Sequence, residues 1–173
     1  MNSRERVLAS INHKEPDRVP IDLGGFPVTG ISAIAYHNLK EYLGIKAGHV
    51  RVYDLMQQLA LPEEMVLDLF KVDVLDLGRT FNTENEDWSD INVNGYNFQY
   101  PHWFKQKHNP DDSSDIYHRD GTIIARMTKD ALVFDQIFYP CLEEYPKTYN
   151  EFQKIASKNP WVSQITPPFS NIG

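Results

Sequence analysis

The sequence predicts an α/β fold that opens with βα units and then changes to antiparallel hairpins. Three observations carry that expectation. The opening run Ser3–Gly25, SRERVLASINHKEPDRVPIDLGG, joins an amphipathic helix, a proline-bracketed connector and a short apolar run closed by Gly24-Gly25. A second aliphatic and β-branched run, Val72-Asp73-Val74-Leu75-Asp76-Leu77, follows a helical stretch and has the composition of a buried strand. Asn94-Gly95 and Asp120-Gly121 each sit between short strand-like segments, and both dipeptides favour the left-handed backbone of two-residue hairpins.

Taken in order, Ser3 is the expected N-cap of the first helix, with Val7, Leu8 and Ile11 on one face. Glu15-Pro16 stops it, because the residue before proline is pushed out of the α region. Thr29 is the expected cap of a helix through Leu43, and Gly44 is its stop. A helix is expected over Val52–Ala60 and another from Pro62, with Met65, Val66, Leu69 and Phe70 on its apolar face. Between the two hairpins, Asn109–Ser114 reads as a polar loop. Thr148 and Glu151 form a capping-box pattern for a last helix whose buried face is Phe152, Ile155 and Ala156.

Composition excludes several classes. A net charge of −7 argues against a nucleic-acid partner, which needs a basic surface. No stretch approaches the roughly 20 apolar residues of a membrane span. Arg4, Glu5 and Arg6 interrupt any signal-peptide core, and a single cysteine, Cys141, permits no internal disulfide. A cytoplasmic location is the expectation.

The opening segments resemble the N-terminal end of the uroporphyrinogen decarboxylase superfamily, especially the branch similar to corrinoid-linked methyltransferases. The residues that carry the resemblance are Arg4–Leu8, His13–Pro20, Asp22-Leu23-Gly24-Gly25, Gly30–Tyr36, Arg51-Val52-Tyr53-Asp54 and Val72–Gly78. It implies the N-terminal portion of a (β/α)8 TIM barrel of the uroporphyrinogen decarboxylase type, with an antiparallel β-hairpin excursion. The expected layout is one incomplete domain over 1–173: a helical extension at 1–18, the first βα units at 19–79, the hairpin insertion at 80–145, and a helix and tail at 146–173. A complete barrel needs about 250 residues. The chain is therefore expected to be a fragment or subunit, completed by a C-terminal barrel half or a second copy. The closing segment Pro167–Gly173 reads as a chain cut in a loop.

The resemblance implies methyl transfer involving a corrinoid protein or a thiol. Uroporphyrinogen decarboxylation and a non-catalytic, partner-dependent chain are the alternatives, and catalysis by this chain alone is left open. Zinc and a corrinoid protein are implied for the complete methyltransferase-like enzyme, with the zinc ligands in its C-terminal half. None of His13, His37, His49, His102, His108 and His118 stands at close ligand spacing with Cys141, so this chain alone is expected to hold no metal.

Barrel enzymes react at the C-terminal ends of their strands. That places Gly24, Gly25 and Phe26 after the first strand, and Asp76 and Arg79 at the end of the second, as candidate substrate-binding residues. Gly24-Gly25 either lets backbone approach a ligand or makes a tight turn. Arg79 either clamps a carboxylate or lies at the surface. Asp76 ranks above Asp73, being nearer the strand end. True decarboxylases of the superfamily carry a pair of arginines in the loop after the first strand. Here that loop, Gly24–Ile31, has none, which would leave an anionic tetrapyrrole unpaired. Asp111, Asp112 and Asp115 lack the glycine and terminal glutamate of a calcium loop and read as solvated. Tyr96, Phe98, Tyr100, Trp103 and Phe104 read as hairpin core.

Overall fold

The computed structural model describes residues 1–77, 84–93, 95–102, 104–118, 120–139, 142, 145–156 and 158. The chain forms two compact units: Met1–Tyr53 with Leu59–His102, and Asp54–Gln58 with Trp103–Gly173.

The first unit begins with helix α1, Ser3–Ile11. Its cap is Asn2 rather than Ser3: Asn2 Oδ1 accepts from the Glu5 amide at 2.8 Å while the Glu5 carboxylate accepts from the Asn2 amide at 3.0 Å. Glu5 stands three residues after Asn2, the spacing that satisfies two free amides reciprocally. After a 3-10 turn at Pro27–Thr29 come strand β1, Ile31–Ser32, and helix α2, Ala33–Tyr42. Ser32, not Thr29, caps α2, because the Thr29 hydroxyl is engaged within the preceding turn.

The helix expected over Val52–Ala60 is absent. Strands β2, Val52–Asp54, and β3, Leu59–Ala60, occupy its place. Asp54 Oδ1 takes the amides of Met56 and Gln57 at 3.0 and 2.9 Å, and Gln58 adopts φ 55°. A side chain that captures following amides competes with helix formation and turns the chain. The strands form a three-stranded sheet in the order β1-β3-β2, with β1 and β3 antiparallel. Helix α3 is Glu64–Leu69, with Glu63 at its N-cap position but no side-chain cap.

The unit ends in a hairpin of β4, Trp88–Val93, and β5, Tyr96–Pro101, in the register Val93↔Tyr96. Asn94 of its turn lies outside the described residues; Gly95 has φ +88°. Phe98 and Tyr100 are buried, and Tyr96 stacks on Phe98 at 5.5 Å. Tyr36, Val52, Ala60 and Val66 complete the core.

The second unit is an antiparallel sheet of β6, Gln106–His108, β7, Ser114–Tyr117, β8, Ile123–Met127, and β9, Asp135–Gln136, in sequence order. Asp120-Gly121 turns β7 into β8, with Gly121 at φ +88°. Ile116, Ile124, Ala125 and Phe134 are buried here. Helix α4, Tyr149–Ala156, follows, and Thr148 accepts the Glu151 amide as its cap pattern implies.

The (β/α)8 TIM-barrel half is not the fold. The structure is built mainly of small antiparallel sheets with four short helices, and no alternating series of strands and helices appears among the described residues. The two runs expected as barrel strands do meet in parallel, but at a single bridge, Asp22↔Val74. The local chemistry explains why they stop there. Pro20 offers no amide. The Ile21 amide donates to the Asp73 side chain at 3.0 Å instead of to a ladder carbonyl, and Arg18 Nη2 occupies the Lys71 carbonyl at 2.7 Å. Side chains thus take groups that a parallel ladder would use. No helix among the described residues is long and apolar enough to cross a membrane.

Candidate functional site

The loop after the first apolar run is shaped by its own backbone. The Gly24 amide donates to the Thr29 carbonyl at 3.0 Å, and the Gly25 amide to Asp22 Oδ1 at 2.8 Å. Thr29 Oγ1 donates to the Phe26 carbonyl at 2.9 Å. Gly24 sits at φ +80°, where a Cβ would lie 3.1 Å from the Pro62 ring. A Cβ on Gly25 would meet Asp22 Oδ1 at 2.7 Å and Val74 Cγ1 at 2.8 Å. The space beside both glycines is filled by the protein itself, which accounts for them as a packed turn. The turn projects apolar side chains: Phe26 is 62% exposed and Val28 82%.

Asp76 is half-buried two residues beyond Val74, flanked by the exposed Leu75 and Leu77. Gly25 thus lies against Asp22 and Val74 and Gly24 against Pro62, Phe26 is exposed, and Asp76 follows on the second run. Arg79 lies outside the described residues, as does Cys141.

The residue that organises this end of the unit is Asp73, which the sequence ranks below Asp76. Its side chain is fully buried. Arg6 Nη1 lies 2.5 Å from Oδ1, and Arg18 reaches the two oxygens at 2.7 and 3.1 Å. Burial alone pushes the Asp73 carboxyl up. The Ile21 amide and hydrogen bonds from Arg18, Ser3 and Arg6 outweigh that effect and hold it well below the usual carboxylate range. Arg6 also grips Asp17 through Nε and Nη2 at 2.7 and 2.9 Å, a bidentate pair. Hydrogen bonding to Arg6, then to the N-terminal ammonium, depresses Asp17 in turn. One signal pointed to Asp73: a carboxylate inside a β-branched run, expected to be buried, needs cationic partners.

No protein-family model, curated protein or solved structure matches this chain. The reading of the site therefore rests on its chemistry. Arg6 and Arg18 are committed to carboxylates of the protein, and the turn between Gly24 and Thr29 contributes apolar surface and no cation. Among the described residues no three His, Cys, Asp or Glu side chains converge to hold a metal ion.

A second polar cluster pins α2 in place. Glu63 accepts from Tyr36, from Lys40 through an ion pair, and from the His49 amide, while its own amide donates to the Tyr36 hydroxyl at 2.9 Å. Burial pushes the Tyr36 phenol up to about 12. Tyr36 is fully buried, so the cluster is architectural.

Proposed function

We propose that this chain takes part in methyl transfer involving a corrinoid protein or a thiol, as in the methyltransferase branch of the uroporphyrinogen-decarboxylase-like enzymes that it resembles. The residues of the resemblance support the family. The observation that favours methyl transfer over decarboxylation is the apolar, cation-free turn Gly24–Thr29, while Arg6 and Arg18 are already paired with Asp73 and Asp17. A polycarboxylate tetrapyrrole in that place would lose hydration without gaining partners. A methyl group and the face of its carrier need apolar surface instead. Phe26 and Val28 supply it, and Leu75 and Leu77 of the same unit are exposed apolar side chains as well.

The test is titration of the 173-residue chain with methylcobalamin, followed by quenching of tryptophan fluorescence, in wild type and Phe26→Ser. Saturable binding weakened by the substitution supports the proposal. Absence of binding, or binding indifferent to Phe26, overturns it.

A further inference from the structure

Helix α4 buries none of its own side chains: Phe152 is 48% exposed, and Ile155 and Ala156 are half-buried. Its C-terminal end is nevertheless held. The Lys158 amide closes a further turn on the Ile155 carbonyl at 3.1 Å, so the Lys158 side chain moves with the helix. That side chain reaches the tip of the β7–β8 hairpin. Nζ lies 2.7 Å from Asp120 Oδ2, 3.3 Å from Thr122 Oγ1, and 5.6 Å from the centre of the Phe138 ring.

The receiving end is built independently of the helix. Asp120 Oδ1 accepts the Thr122 amide at 3.0 Å and lies 3.0 Å from His118 Nδ1. The His118 amide donates to the Thr122 carbonyl and the Gly121 amide to the His118 carbonyl, which closes the turn. Phe138 is held by its amide on the Ile124 carbonyl. The turn therefore keeps its own hydrogen bonds when the lysine leaves, and no side chain of Tyr149–Ala156 is fully buried.

We propose that Lys158 is a charge-dependent latch that holds α4 on the β7–β8 hairpin, so that the helix detaches as a unit while the sheet stays folded. The latch lies partly in solvent, with Lys158 27% and Asp120 44% exposed, so salt screens it and neutralising either group opens it.

Amide hydrogen exchange on the full chain tests this in Lys158→Met, which keeps an apolar stem over Phe138, and Lys158→Arg, which keeps the charge. In the methionine variant the amides of α4 exchange about fivefold faster, while those of Ile116, Ile124 and Ala125 keep wild-type protection. The arginine variant behaves as wild type, and 1 M salt reproduces the methionine effect. Unchanged α4 exchange in Lys158→Met overturns the latch. So does faster exchange of helix and sheet together, which would make Lys158 part of the sheet's own stability. Equal effects of methionine and arginine would overturn the role of charge.

Discussion

The Arg6 guanidinium lies 2.5 Å from the Asp73 carboxylate, joining the first helix to a residue 67 positions further along the chain. Arg18 and the Ile21 amide converge on the same carboxylate, so helix α1, the connector and both apolar runs meet at one buried side chain. This junction holds the two runs side by side together with the Asp73 amide, which donates to the Ile21 carbonyl at 2.8 Å, and the single bridge Asp22↔Val74.

Replacing Asp73 with Ala leaves cationic and amide donors in a buried place without an acceptor. A loss of about 3 kcal/mol of unfolding free energy is expected, measured by urea denaturation. Asp76→Ala, at a half-buried position, is expected to cost less, about 1 kcal/mol.

Stability should fall in acid with a defined onset. The carboxyls of Asp73, Asp17, Asp115 and Asp120 are all held below their ordinary values by cationic and amide donors. A carboxyl depressed in the folded state contributes stability that is complete above its unfolded value, near 4, and lost as the pH falls toward the folded one. Denaturation midpoints should be level from pH 7 to about 5 and drop steadily below about 4. Asp73→Asn should make that drop shallower.

At the alkaline end the sign reverses. Burial raises the Tyr36 phenol to about 12 and pushes that of Tyr100 up as well. Their contribution is complete below the unfolded value, about 10, and is lost as the pH rises through the folded one. Absorbance titration at 295 nm should show the phenols of Tyr36 and Tyr100 resisting ionisation until unfolding begins. Tyr36→Phe and Tyr100→Phe should each remove one of them.

The two kinds of glycine separate by substitution. Gly121→Ala meets open space and carries only the left-handed backbone penalty, about 1 kcal/mol. Gly25→Ala drives a methyl group to within 2.8 Å of Val74 Cγ1 and 2.7 Å of Asp22 Oδ1, and should cost about 2–3 kcal/mol. Thermal unfolding of the two variants side by side gives the order.

Local signals in the sequence carried the hairpins, because Asn-Gly and Asp-Gly act over two residues and need no distant partner. The caps of α1 and α2 were displaced by one and three residues, since several side chains in each stretch are able to cap and only geometry chooses among them. The Val52–Ala60 segment is not helical, because the Asp54 carboxylate collects the two following amides of Met56 and Gln57. The parallel contact of the two apolar runs was legible, but its termination was not. It depends on Arg18 and Asp73, which are far apart in sequence and taking groups that strands would share. For the same reason Asp73 was ranked below Asp76: distance from a strand end says nothing about which carboxylate finds two arginines.

The central claim is that the Gly24–Thr29 turn offers apolar surface without a cation, Arg6 and Arg18 being spent on Asp73 and Asp17. The most direct test is paired titration of the chain with methylcobalamin and with uroporphyrin at one ionic strength. Saturable binding of methylcobalamin with none of uroporphyrin is the predicted result. Saturable binding of uroporphyrin, lost in Arg18→Met, would contradict it by showing that Arg18 is available to a substrate carboxylate.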